Sequence, residues 1–128
     1  MEEGLVVMAR SNPEFKTHAA IVQILRFNAW PEVIWYHVPN GNKLSPRTAG
    51  FNKMLGVLAG VPDLCFDIAG RCHYLEIKAP KGRLSDEQRA FQNLCLETQR
   101  PHAVVYSLDE AIAVLSRWGV LKNARVAA

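Results

Sequence analysis

The chain has 128 residues, a formal charge of +3 and 49% apolar residues, which fits one compact domain with a core of its own. No apolar run reaches the ~18 residues a membrane helix needs, and the opening MEEGLVVMARS carries acids where a signal peptide carries bases. No membrane partner and a cytoplasmic location are therefore expected. The three cysteines, Cys65, Cys72 and Cys95, form no CxxC pair, which argues against a disulfide framework and a structural zinc site.

Residues 1–12 and 119–128 are expected to be flexible ends of a single domain spanning 1–128. Asn12, Pro13 and Glu14 make a cap, a first helical position and an acidic first turn. The helix they open should end near Asn28, with Glu14, His18, Ile21, Val22 and Leu25 on one face. EVIWYHVP, rich in β-branched and aromatic residues, reads as a strand ending at Pro39. After a PNGN turn, Ser45-Pro46 starts a short helix that should stop at Gly56.

DLCFDI and CHYLEIKA read as two strands around Ala69-Gly70, with Pro62 at the first strand position. Ser85 and Gln88 have capping-box spacing, and Phe91, Leu94, Cys95 and Thr98 follow as a helical stripe. HAVVYS is apolar enough to be a central strand. Ser107 and Glu110 form a second box before a last helix marked by Leu108, Ala111, Ile112, Leu115 and Trp118. The fold class is therefore α/β: a mixed sheet flanked by helices on both faces, in the order α-β-α-β-β-α-β-α. The strand–helix–strand crossover into HAVVYS should make a parallel pair.

Charges concentrate where a strand pair would be apolar. With a two-residue Ala69-Gly70 turn, Ile68 pairs with Arg71, and the ladder sets Asp63 opposite Glu76, about 5 Å apart at Cβ. Two bare carboxylates there repel, whereas a divalent cation between them reverses the sign. Their oxygens are the hard ligands that Mg²⁺ or Mn²⁺ takes. Lys78 shares the Glu76 face, about 7 Å along the strand, where it could position a water or neutralise a phosphate. Asp67 falls opposite Cys72 at the far end of the hairpin and is not expected to be a ligand. A lone Glu-Ile-Lys is common on solvated strands; Asp63 at the matching register is what sharpens it.

These residues resemble the PD-(D/E)xK nuclease superfamily and, more finely, its VRR-NUC (virus-type replication-repair nuclease) domain. The similarity runs through Glu14, Pro39-Asn40-Gly41, Gly60-Val61-Pro62-Asp63, Glu76-Ile77-Lys78 and Gly82-x-x-Ser85-x-x-Gln88, from about Pro13 to Trp118. It implies a restriction-endonuclease-like core and a small stand-alone nuclease of the kind found in phages and bacteria. The implied activity is metal-dependent hydrolysis of DNA phosphodiester bonds in replication, repair or recombination, with branched DNA such as flaps or four-way (Holliday) junctions as substrate and a homodimer as the working form. Asp63, Glu76, the Ile77 carbonyl and Glu14 would hold Mg²⁺ or Mn²⁺, and Lys78 would position or activate the water.

Some residues keep more than one reading. Gln88 either lines the site or caps its helix. His18 stands where relatives often carry Gln; it either meets the DNA phosphate or a water at the metal, orients Glu14, or is a core histidine. Lys43, Arg47, Lys53, Lys81, Arg83 and Arg89 are either phosphate contacts or solubilising surface. Asn40-Gly41 either presents backbone amides to a phosphate or simply turns. The alternative to an enzyme is a non-catalytic DNA-binding or scaffold protein on a nuclease fold.

Overall fold

A computed structural model describes residues 12–39 and 45–122. Its elements are α1 (Pro13–Asn28), β1 (Ile34–His37), α2 (Pro46–Met54), β2 (Leu64–Ile68), β3 (Arg71–Ile77), α3 (Asp86–Glu97), β4 (His102–Val105) and α4 (Leu108–Arg117), in the expected order. Local chemistry accounts for the starts. Asn12, Ser45, Ser85 and Ser107 each accept a backbone N–H of the first turn, and Pro13 and Pro46 occupy first helical positions. The reciprocal half of the second box differs from expectation. Glu110 accepts from the N–H of Tyr106 rather than Ser107, at 3.2 Å.

Among the described residues the strands form one sheet in the order β1-β2-β3-β4. The β1–β2 and β2–β3 pairs are antiparallel and β3–β4 is parallel. The hairpin register is the expected one, Ile68 with Arg71 through Leu64 with Leu75. Ala69 (φ 53°) and Gly70 (φ 76°) both lie in the left-handed region, which a two-residue turn of type I′ requires. Strand β2 begins at Leu64, so Pro62 stands ahead of it rather than inside it.

Strand β4 is an edge strand, not the central one its composition suggests. It is apolar because helices cover it: α3 and α4 both pack against it. One sheet face carries Leu64, Phe66, Leu75 and Ile77, which join Ile21 and Leu25 of α1 and Leu115 of α4 in the main core. The other face carries Tyr74, whose ring meets Phe91 of α3 edge-on at 4.9 Å. On α3 the buried residue is Cys95, while Leu94 is 52% exposed, so the expected stripe is shifted away from Leu94.

The expected flexible end at 119 is also corrected. Val120 and Leu121 are buried, Trp30 donates to the Val120 carbonyl at 2.9 Å, and Leu121 bridges to Ala29. These apolar residues close the end of α1, and the packed chain continues through Lys122. No helix among the described residues is long and apolar enough to cross a membrane.

Candidate active site

The parallel strands β3 and β4 end side by side, and the chain enters β2 at the same rim. One residue beyond the Leu64–Leu75 pair, Asp63 therefore stands opposite Glu76. The Asp63 carboxylate bends over the strand end, where its Oδ2 accepts the backbone N–H of Ile77 at 2.8 Å. Glu76 is only 2% exposed. Its Oε1 accepts from Gln88 Nε2 at 3.3 Å, and its Oε2 is buried with no N–H or O–H donor. Burial, then the adjacent Asp63 charge and carboxyl contact, push the Glu76 carboxyl far above the usual range. Lys78 opposes that rise and Glu14 adds to it.

Gln88 does both things its sequence context suggests. Its Oε1 accepts from the Ser85 N–H at 2.8 Å and its own N–H donates to Ser85 Oγ, completing the capping box. Its amide nitrogen is then aimed at Glu76. A planar amide offers an acceptor and donors on opposite sides, so capping the helix and holding the carboxylate are one geometry. Gly60 makes this approach possible. At φ +86°, an added Cβ would fall 2.3 Å from the Glu87 carbonyl oxygen and 2.9 Å from the Gln88 nitrogen. The segment leading to Asp63 thus lies directly on the first turn of α3.

From the opposite face, α1 brings Glu14 and His18. Glu14 is raised by burial, lowered by Lys78, raised again by Asp63, and held by a hydrogen bond from the Ala79 backbone. Glu14, Asp63, Glu76, Lys78 and Gln88 are therefore brought together. His18 does not stand alone: its ring meets His37 edge-on, centroids 4.6 Å apart. Burial first, and then His37, lower its pKa, while Asp63 raises it.

His37 is the residue that sequence reasoning missed. Its Nδ1 lies 2.7 Å from the Asp63 carbonyl oxygen, which also accepts the Val38 N–H at 3.0 Å. One ring nitrogen each of His18 and His37 and a carboxylate oxygen of Asp63 lie within 4.8 Å of one another. A signal was present in Val33, Trp35 and His37, which fall at period two on one strand face. The series places an imidazole where an apolar side chain would continue it.

The remaining predicted residues lie outward. Arg47 and Lys53 sit on α2, none of whose residues is buried. Lys81 and Arg83 are exposed on the segment after β3, and Arg89 is exposed on α3. Asn40 and Lys43 lie outside the described residues. A surface cavity lined by Trp30, Ile34, Asp67 and Gly70 opens at the far end of β2 from Asp63.

The arrangement suits a divalent cation on its own chemistry. A buried carboxylate oxygen without a donor, facing a second carboxylate, needs either a proton or a cation. Asp63 and Glu76 supply the oxygen ligands that Mg²⁺ and Mn²⁺ take.

No protein-family model and no curated protein matches the chain. Among solved structures it is similar to a "VRR_NUC domain protein", with a TM-score of 0.65 and 22% identity over 82% of this chain and 86% of that one. The chain therefore has the fold of a VRR_NUC domain protein, a mixed four-stranded sheet with helices on both faces.

Proposed function

We propose that the protein is a metal-dependent DNA endonuclease that hydrolyses phosphodiester bonds. The observation that carries this reading is the convergence of Asp63, Glu76 and Gln88 at one strand end, with the Glu76 Oε2 buried and without a donor. Asp63 and Glu76 hold Mg²⁺ or Mn²⁺, with Glu14 at the rim. The Ile77 carbonyl fits as a further ligand: a strand residue's N–H and C=O point to the same side, and the Ile77 N–H points to Asp63. When bound, the ion stabilises developing charge on the phosphoryl oxygens and makes water more acidic.

The chain's own groups do the rest. Gln88 orients Glu76, and the Ile77 N–H orients Asp63. Lys78 positions the attacking water. The water oxygen bonds to phosphorus as the bond to the 3′ oxygen breaks, which leaves a 5′-phosphate and a 3′-hydroxyl. Arg47, Lys53, Lys81 and Arg83, with Asn40 and Lys43, contact phosphates on either side of the scissile bond. By resemblance, branched DNA is the substrate and a homodimer the working form. Two sites related by a two-fold axis suit paired cuts at a junction.

The test is a cleavage panel of linear, nicked, flap and four-way DNA with Mg²⁺ or Mn²⁺. Wild type should cut, and Asp63→Ala and Lys78→Ala should each fall by about 10²-fold or more. Intact DNA throughout, with salt-dependent binding retained, would replace this reading with a non-catalytic DNA-binding scaffold.

A further inference from the structure

The reading above leaves the two imidazoles without a task. We propose that His18, His37 and Asp63 form a second cation site, which takes a borderline first-row divalent ion such as Co²⁺, Ni²⁺ or Zn²⁺ in preference to Mg²⁺.

Three elements converge on it: α1 supplies His18, the end of β1 supplies His37, and the turn into β2 supplies Asp63. The three donor atoms lie within 4.8 Å of one another. Donors bound at ~2.0–2.2 Å to one ion stand about 3–4 Å apart. The donors therefore stand within about an ångström of that spacing.

The hydrogen bonding around His37 points the same way. A carbonyl oxygen can only accept, so the 2.7 Å contact with the Asp63 carbonyl requires a proton on Nδ1. The lone pair is then on Nε2. Metal-ligating histidines are commonly oriented in this manner, with the second ring N–H given to a backbone carbonyl or a carboxylate. Here the carbonyl belongs to the residue whose carboxylate is the third ligand. The Val38 N–H on the same oxygen ties the β1 end and Asp63 into one backbone unit. A ligand and its orienting group therefore cannot drift apart independently.

Ligand type decides the ion. Mg²⁺ takes oxygen ligands and keeps its waters, whereas imidazole suits the later first-row ions such as Co²⁺, Ni²⁺ and Zn²⁺. Two imidazoles and one carboxylate leave coordination positions open. Asp63 lies between this site and Glu76, so it bridges the two. The proposal does not rest on DNA cleavage, since a protein inactive on DNA would bind the ion equally well.

The test is a Co²⁺ titration of the full chain, followed by visible absorption, with Zn²⁺ and Mg²⁺ as competitors. Wild type should bind Co²⁺, Zn²⁺ should displace it, and Mg²⁺ in large excess should not. His18→Gln and His37→Gln should each weaken binding by about tenfold or more, while Glu76→Gln retains it. In the unmutated protein, Zn²⁺ should shift the imidazole ¹⁵N resonances of His18 and His37 and leave those of His73 and His102 in place, which keeps the test independent of any variant's folding. The proposal is overturned if wild type binds no Co²⁺ at millimolar concentration, if both histidine variants bind as wild type does, if Glu76→Gln loses binding as fully as they do, or if Zn²⁺ leaves both resonances unmoved.

Discussion

Replacing Gly60 by alanine tests whether the approach of the Asp63 segment to α3 builds the site. The new Cβ would stand 2.3 Å from the Glu87 oxygen and 2.5 Å from its carbonyl carbon. Both are backbone atoms, so no side-chain rotation relieves the contact, and one segment must move by about 1 Å. The left-handed φ of +86° at Gly60 adds its own strain. Alanine in that region costs about 1–2 kcal/mol, and overpacking adds about 1–3 kcal/mol. For a domain of this length each kcal/mol lowers the melting temperature by about 4 °C, so the fall should be roughly 8–20 °C. The displaced first turn carries Gln88, so Mn²⁺ affinity measured by calorimetry should fall as well. Gly50→Ala is the control: it lies inside α2 with nothing within 4 Å of an added Cβ. It should gain about 0.5–1 kcal/mol, or about 2–4 °C. Gly60→Ala melting within about 2 °C of wild type, with Mn²⁺ affinity unchanged, would refute the reasoning.

Other outcomes follow from the same geometry. The Glu76 carboxyl is raised from 4.5 to about 9, so the folded chain holds a proton that the unfolded chain releases. In EDTA its stabilising contribution is complete below pH 4.5 and is lost as pH rises to about 9. Glu76→Gln should flatten that slope in urea titrations, and Mn²⁺ should restore wild-type stability at high pH; parallel slopes for both proteins would contradict the assignment. Gln88→Ala removes the cap and the Glu76 contact together, so it should lower stability by about 1 kcal/mol and weaken Mn²⁺ binding. Gln88→Glu, which keeps a cap acceptor but sets another charge against the buried Glu76 carboxyl, should lower stability in EDTA and recover it when Mn²⁺ is added. Reversing Arg47 and Lys53 to Glu should weaken binding to all DNA sequences alike and reduce the slope of log affinity against log salt by about two; an unchanged slope would remove α2 from the DNA surface.

Much of this protein is decided by local chemistry and is therefore legible in the chain. Caps at Asn12, Ser45, Ser85 and Ser107 set helix starts within a few residues, and each depends only on neighbours in sequence. The Ala69-Gly70 turn admits one register, and counting back from it is enough to place Asp63 across from Glu76. Other features depend on what lies across space. HAVVYS looks central because it is apolar, but an edge strand covered by α3 and α4 has the same composition. Val120 and Leu121 look like a loose end until the end of α1 lies beneath them. The two readings of Gln88 compete in sequence; tertiary packing, with Gly60 pressed on α3, lets one amide serve both. His37 gives only a weak strand-face signal, and its place beside His18 and Asp63 exists only once α1 packs against the sheet at β3. The carboxylate pair follows from turn geometry within one hairpin, whereas the histidine pair joins two elements that only the folded core brings together.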